Sequence, residues 1–282
     1  MGPFTGPFPP SEYLPLIGMG VAVGFIGTLI GAGGGFVLMP VLLLLYPQAT
    51  PEQLTAISLS VVFFNAVAGS QAYAFMGRID YKSGLIFAAA TIPGAVIGAL
   101  NTEIVPRHLF NGIFGLLLIA LAAFLILRPE VKPRSELHTH RGHTWRVVTS
   151  AEGERHYYTF NIYLGVGVSF VVGYLSSFLG IGGGIIHVPV LVYFLDFPVL
   201  IATATSQFVL AIMALTGTVV HVWHGLFHTE VRHAMSLAIG VLLGAPVGAQ
   251  LSKRIGGPQI IRILALALGV VGIRILIMYF QH

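Results

Sequence analysis

Two runs of glycine break stretches that are otherwise apolar: Gly33, Gly34 and Gly35 in "LIGAGGGFVLMPVL", and Gly182, Gly183 and Gly184 in "LGIGGGIIHVPVL". Each is followed by a proline, Pro40 or Pro189, which lacks an amide and disfavours a continuous helix through the segment. Where a chain leaves a helix and starts another, the first N–H groups of the new helix have no internal partner and carry about half a positive charge. Such an end binds anions without any arginine. The competing explanation is close packing, since small residues let membrane helices approach one another. Duplication of the glycine run together with its proline favours the anion-binding reading.

Uncharged polar residues lie in the apolar stretches that follow. The first set is Ser58, Ser60, Asn65, Ser70 and Gln71, and the second is Thr203, Thr205, Ser206 and Gln207. Hydroxyls and amides donate to oxyanions without the desolvation cost of a fixed charge, although each also suits a hydrogen bond between helices. Ser58, Ser206 and Gln207 rank first, because they open the spans that follow the glycine runs. His187 and His221 stand in apolar sequence as further solute-binding candidates, with packing as the alternative for each. The "HTHRGH" stretch, with His138, His140 and His143, reads as an exposed polar loop rather than a metal site.

All ten acids, from Glu12 to Glu230, sit at span edges, in connections or in the polar linker. Carboxylate proton relays place Asp or Glu inside the bundle, so coupling through such a relay is disfavoured. Anion export does not need one: an inside-negative potential favours exit by about 2.3 kcal/mol per charge per 100 mV.

These residues need elements to hold them, and the composition says which. The chain has 282 residues, 56% hydrophobic and 9% charged, where a soluble domain carries about 25% charged residues. An all-α integral membrane protein follows, lying in the lipid bilayer with the inner membrane as the expected location. Apolar runs near residues 54–76, 83–100, 109–127, 162–179, 199–223, 232–251 and 259–280 approach the roughly 20 residues that cross a bilayer. Cysteine is absent, which excludes disulfides and thiolate metal sites. Half of the net charge of +4 falls in the linker and the rest at span ends, so the charge reflects topology and no nucleic-acid partner is expected.

The polar stretch 128–158 divides a first transmembrane repeat, 1–127, from a second, 159–282. Laying Gly31 on Gly180 gives seven identities in twelve positions, and with the offset reduced by one, to 148, Ser58, Gly69 and Gly77 meet Ser206, Gly217 and Gly225. "GAVIGA" from Gly94 meets "GAPVGA" from Gly244. Internal repeats of this kind mark transporters with a site near the bilayer midplane. Residues 16–30 and 36–46 rise about 22 and 16 Å as helix, so each glycine break is expected in a re-entrant or discontinuous helix. A hairpin plus about three full spans per half makes the repeats inverted. Placing the linker in the cytoplasm also puts Arg78, Lys82, Lys253, Arg254 and Arg262 inside. A nucleotide-binding enzyme is disfavoured, because the soluble strand–turn–helix and its acidic residue are missing.

The motifs "GAGGGFVLMPVL" and "GIGGGIIHVPVL", followed by "AISLS" and "ATATSQ", resemble the TauE/SafE family of membrane permeases over residues 14–127 and 160–280. The resemblance implies a multi-spanning transporter, not an enzyme and without a cofactor, that exports small sulfur anions such as sulfite, sulfoacetate, isethionate or taurine. It carries the glycine motif onto Gly31, Gly33, Gly34, Gly35 and onto Gly180, Gly182, Gly183, Gly184, and the polar segment onto Ser58 and Ser206. His187 and Gln207 answer to Leu38 and Leu59 in the first half, so the two halves are not expected to bind symmetrically. An anion channel, or a permease for small carboxylates, is the alternative. The identity of the anion, the direction of transport and assembly as a homodimer stay open.

Overall fold

The computed structural model describes residues 10–127, 143–225, 231–252, 254–255 and 257–280. It is mostly helical, and among the described residues seven helices are long and apolar enough to cross a membrane. They lie within α1 (Pro10–Ile30), α3 (Pro51–Phe75), α4 (Tyr81–Thr102), α5 (Arg107–Leu127), α6 (Ile162–Leu179), α8 (Val199–Trp223) and α9 (Val231–Leu251). Two short helices, α2 (Gly35–Leu45) and α7 (Gly184–Tyr193), follow the glycine runs, and α10 (Gly257–Phe280) closes the chain.

The helix starts are written in local chemistry. Thr50 and Gln53 form a reciprocal capping box at α3, with Pro51 in the first helical position. Asp80 caps α4 by accepting from the amide of Ser83 at 3.1 Å, and Asn161 caps α6 through the amides of Tyr163 and Leu164. Arg107, at the start of α5, reaches the other kind of end. Its guanidinium donates to the carbonyls of Leu43, Tyr46, Pro47 and Ala49, closing the C-terminus of α2.

Two expectations change. Residues 16–30 are not a half-length arm: the helix begins at Pro10, and its 21 residues rise about 31 Å. Proline at a first helical position costs no hydrogen bond, which is why the polar-looking start is helical. Only α2 and α7, with 11 and 10 residues, are half-length. The stretch 128–158 is also more than a linker. It contains β1 (His143–Thr149), which pairs antiparallel with β2 (Arg155–Asn161) and runs from there directly into α6.

The hairpin docks on the turn between α3 and α4. Ala151 donates its amide to Met76 O at 2.9 Å, Tyr158 donates its hydroxyl to Asp80 Oδ2 at 2.8 Å, and Arg146 lies 3.7 Å from the same carboxylate. Burial, and next the adjacent Asp80 carboxylate, push the Tyr158 phenol well above its ordinary value.

The helices cross between the two halves of the chain. Along α1 and α9, Gly20 lies against Leu237 and Gly240, and Gly248 lies against Phe25 and Leu29, so these helices run parallel. Along α4 and α6, Gly94 meets Phe170 and Gly98 meets Tyr174, again in parallel. The contacts of Gly217 with Leu59 and of Gly69 with Gln207 make α3 and α8 antiparallel, as those of Gly115 with Leu276 and Gly272 with Ile119 do for α5 and α10. The matched "GAVIGA" and "GAPVGA" segments thus play one role. Their glycines bring backbone onto backbone at the α4–α6 and α1–α9 seams, in the manner of small-residue membrane contacts.

Candidate anion site where two glycine loops meet

The α3–α8 pair forms the centre of the bundle, and both glycine loops lie on it. Gly31, Gly33 and Gly34 have φ of 77°, 75° and 77°, and Gly180 and Gly182 have 65° and 66°. This left-handed backbone, which side chains resist, turns the chain out of α1 and α6 and back into α2 and α7. A Cβ on Gly35 would strike the backbone of Ile181, and one on Gly184 the backbone of Gly31 and Ala32. The two loops therefore touch main chain to main chain.

Ser58 and Ser206 join each loop to the opposite half. Ser58 Oγ donates to Gly180 O at 2.5 Å, and Ser206 Oγ donates to Gly31 O at 3.3 Å. Their hydroxyl hydrogens are engaged by loop carbonyls. Val62 and Leu210, each the twelfth residue of a 25-residue helix, cover the loops at mid-depth: a Cβ on Gly33 would meet both, and one on Gly182 would meet Val62.

The amides opening α2 and α7 remain free. Gly33 donates to Gly27 O at 3.2 Å, and Ile181 to Ser176 O at 3.2 Å. Among the described residues, the N–H groups of Gly34, Gly35, Gly183 and Gly184 have no hydrogen-bond acceptor. All four glycines are buried. Buried unpaired amides are rare and costly, and here they cluster at two helix N-termini.

The remaining candidates divide. Asn65 and Gln207 belong to one fully buried network: Thr28 Oγ1 donates to Asn65 Oδ1 at 2.9 Å, and Gln207 Nε2 lies 3.4 Å from Thr28 Oγ1 and 3.3 Å from Asn65 O. Tyr73 completes it by donating to Thr28 O at 2.8 Å. Ser70 holds a buried hydroxyl without a partner. Gln71 faces away from the loops, into an open groove of about 790 Å³ at the ends of α3 and α9, which Gln250 and Arg254 also line. His187 is buried with Nε2 3.4 Å from Ser169 Oγ and its ring edge-on to Phe87; His221 is buried with Nε2 unpartnered. The cluster of His138, His140 and His143 lies outside the described side chains.

Thr28 and Tyr73 were missed from sequence. Thr28 sits in α1 three residues before Gly31, where it reads as one more small residue in a greasy helix. The signal was its hydroxyl counterpart Ser177, three residues before Gly180.

The comparisons with known proteins bear on this arrangement. The chain is 31% identical over 271 residues to the probable membrane transporter protein YunE of Bacillus subtilis (strain 168), covering 94% of this chain and 97% of that one. It is 26% identical over 243 residues to a probable membrane transporter protein of Xylella fastidiosa (strain Temecula1 / ATCC 700964), covering 86% of each. With a probable membrane transporter protein of Methanocaldococcus jannaschii it shares 24% over 274 residues, covering 93% of this chain and 94% of that one. No solved structure gives a significant match. The sequence profile described as "Sulfite exporter TauE/SafE" matches residues 16–275, a span that holds both glycine loops, the helices they open and the α3–α8 pair beneath them. This chain, a multi-pass membrane transporter protein by that match, belongs to the TauE/SafE family.

Proposed function

We propose that the protein is a carrier that exports small sulfur oxyanions across the inner membrane, holding the anion near mid-depth at the N-termini of α2 and α7. The observation that carries this reading is the pair of buried helix starts whose Gly34, Gly35, Gly183 and Gly184 amides lack acceptors. An anion completes those amides and gains from both helix dipoles, with no fixed cation to trap it. Ser58 and Ser206 hold the loops across the halves, and Asn65 and Gln207 supply side-chain amides beside them.

Alternating access follows from an inverted repeat. The reading is supported by helix direction: α1 runs with α9, α6 runs with α4, and α3 opposes α8, so corresponding helices point in opposite senses. Each loop of one half rests on the central helix of the other. Val62 and Leu210 cover the site at mid-depth, and the groove at Gln71 and Arg254, on the side of the hairpin, is the vestibule through which an anion approaches. Arg254 draws anions to it by long-range attraction.

Reconstitution into liposomes tests the proposal. Saturable uptake of sulfite or an organosulfonate, with competition among them and none from acetate, is the expected result. Competition by small carboxylates alone would shift the function to a carboxylate permease, and single-channel currents would make it a channel.

A further inference from the structure

The β1–β2 hairpin turns only one of its faces to the bundle. Side chains alternate along a strand, and the register places Trp145 and Val147 of β1 on the same face as Tyr157 of β2. The opposite face carries Arg146 and Tyr158 to Asp80, and Phe160 to the rings of Phe87 and Phe197. On the outward face, Trp145 and Tyr157 are each 53% exposed, with ring centroids 6.0 Å apart, and Val147 is exposed beside them. Tryptophan and tyrosine combine a large apolar body with a polar tip, which suits them to a membrane–water boundary better than to open water.

An open groove of about 610 Å³ runs between β1 and the start of α4. It brings Trp145, Val147 and Arg146 together with Tyr81 and Lys82, the first two residues of that spanning helix. The 22 residues of α4 rise about 33 Å, just over the ~30 Å of a hydrocarbon core, so Tyr81 and Lys82 stand at headgroup level. The other strand is tied to a membrane span as well: β2 ends at Asn161, α6 opens at Ile162, and Tyr163 is 77% exposed. The charged side chains lining the groove are Asp80, Lys82 and Arg146. Asp80 is already engaged, accepting from the Ser83 amide at 3.1 Å and the Tyr158 hydroxyl at 2.8 Å, with Arg146 Nε 3.7 Å away. Arg146 balances Asp80, and exposed Lys82 leaves one positive charge uncompensated in the groove.

The geometry points to a binding site for the headgroup of an anionic phospholipid in the groove between β1 and α4, with the outward hairpin face lying in the membrane interface. Lys82 meets the lipid phosphate, Tyr81 and Trp145 flank the headgroup, and Val147 and Tyr157 extend the contact over the lipid surface. One uncompensated cation matches the single net charge of a lipid such as phosphatidylglycerol, and a basic side chain near an anionic surface is worth about fivefold in binding. Depth selects lipid over a soluble partner, because the groove opens where a spanning helix enters the bilayer. The site is independent of the solute carried, so its failure leaves the carrier reading untouched.

The test uses the full chain in vesicles. The sequence has two tryptophans, so Trp223→Phe leaves Trp145 as the sole tryptophan fluorophore. Brominated phosphatidylglycerol and brominated phosphatidylcholine, each in an unbrominated background of the other, are the probes. Quenching of Trp145 should report a relative affinity about fivefold in favour of phosphatidylglycerol. Lys82→Gln should bring that ratio to about one and Lys82→Arg should keep it. Raising salt from 0.1 to 1 M, which shortens the screening length from about 10 to about 3 Å, should lower it. A ratio of one in the parent protein, or a ratio unmoved by Lys82→Gln, overturns the headgroup site. Strong quenching by aqueous iodide with none by either bromolipid overturns the interfacial placement of the hairpin. Displacement of the lipid by millimolar glycerol 3-phosphate assigns the groove to a soluble phosphate ester and overturns the proposal. Protection of Trp145 from iodide and bromolipids alike, in a protein that runs as a dimer, makes the face an interface between copies and overturns it too.

Discussion

Ser58, in the first third of α3, donates its hydroxyl to the carbonyl of Gly180, 122 residues away, at 2.5 Å. Ser206 returns the contact to Gly31 at 3.3 Å. Each glycine loop is therefore fastened by the half of the chain to which it does not belong, and the two halves cannot separate without breaking both bonds.

Ser58→Ala leaves a buried carbonyl without its donor, which costs about 1–3 kcal/mol. The longer Ser206 bond is the weaker of the two, so Ser206→Ala should cost less. Thermal unfolding of the detergent-solubilised protein measures both, and a larger loss at Ser206 would contradict the ranking.

Gly34 and Gly183 occupy matching positions but differ in backbone. Gly34 has φ of 77° and its Cβ would strike Val23, whereas Gly183 has φ of −47° and meets mainly the side chain of Val172. Gly34→Ala adds left-handed strain of about 1–2 kcal/mol to the clash and should abolish transport. Gly183→Ala should retain part of it, while Gly183→Val should not. Uptake normalised to inserted protein reads the difference.

Arg107 donates to four carbonyls at and beyond the end of α2. Arg107→Ala removes charge-assisted bonds and should destabilise the fold by about 2 kcal/mol or more. Arg107→Lys should recover only part, because an ammonium lacks the planar fork that reaches Leu43 and Ala49 together. Melting temperatures of the three proteins give the order.

Tyr158 makes hairpin docking sensitive to alkali. Its folded pKa is raised by burial and by Asp80 above the unfolded value of about 10. Its contribution to stability is fully present below about pH 10 and is lost as pH rises through the higher folded value. Hydrogen exchange over residues 143–161 should therefore stay slow to about pH 10, after correction for intrinsic rates, and quicken above it. Tyr158→Phe should exchange faster at pH 8 and show a flatter profile; identical profiles for the two proteins would remove Tyr158 from the docking contact.

Much of the architecture was legible in the residues. Apolar runs of nearly 20 residues require helices in lipid, and the two glycine–proline motifs located the breaks at residues 31–34 and 180–183, where the helices stop and restart. The start of α1 differs from the expected arm of residues 16–30, because the helix begins at Pro10, where a proline costs no hydrogen bond, and runs on through Pro15. The hairpin at 143–161 was missed because its alternation is masked by charged and polar residues that serve Asp80 and the α3–α4 turn rather than a core of their own.

At the site, the sequence by itself determined which residues were chemically available: free amides from the glycine runs, and amide or hydroxyl groups from Asn65, Ser58, Ser206 and Gln207. Only the tertiary structure decided their tasks. Hydrogen-bond direction depends on neighbours contributed from the other half of the chain: Gly180 and Gly31 engage the two serine hydroxyls, and Gln207 joins Thr28 and the Asn65 backbone. A donor's chemistry is local, but what it faces is set by the crossing of helices far apart in sequence.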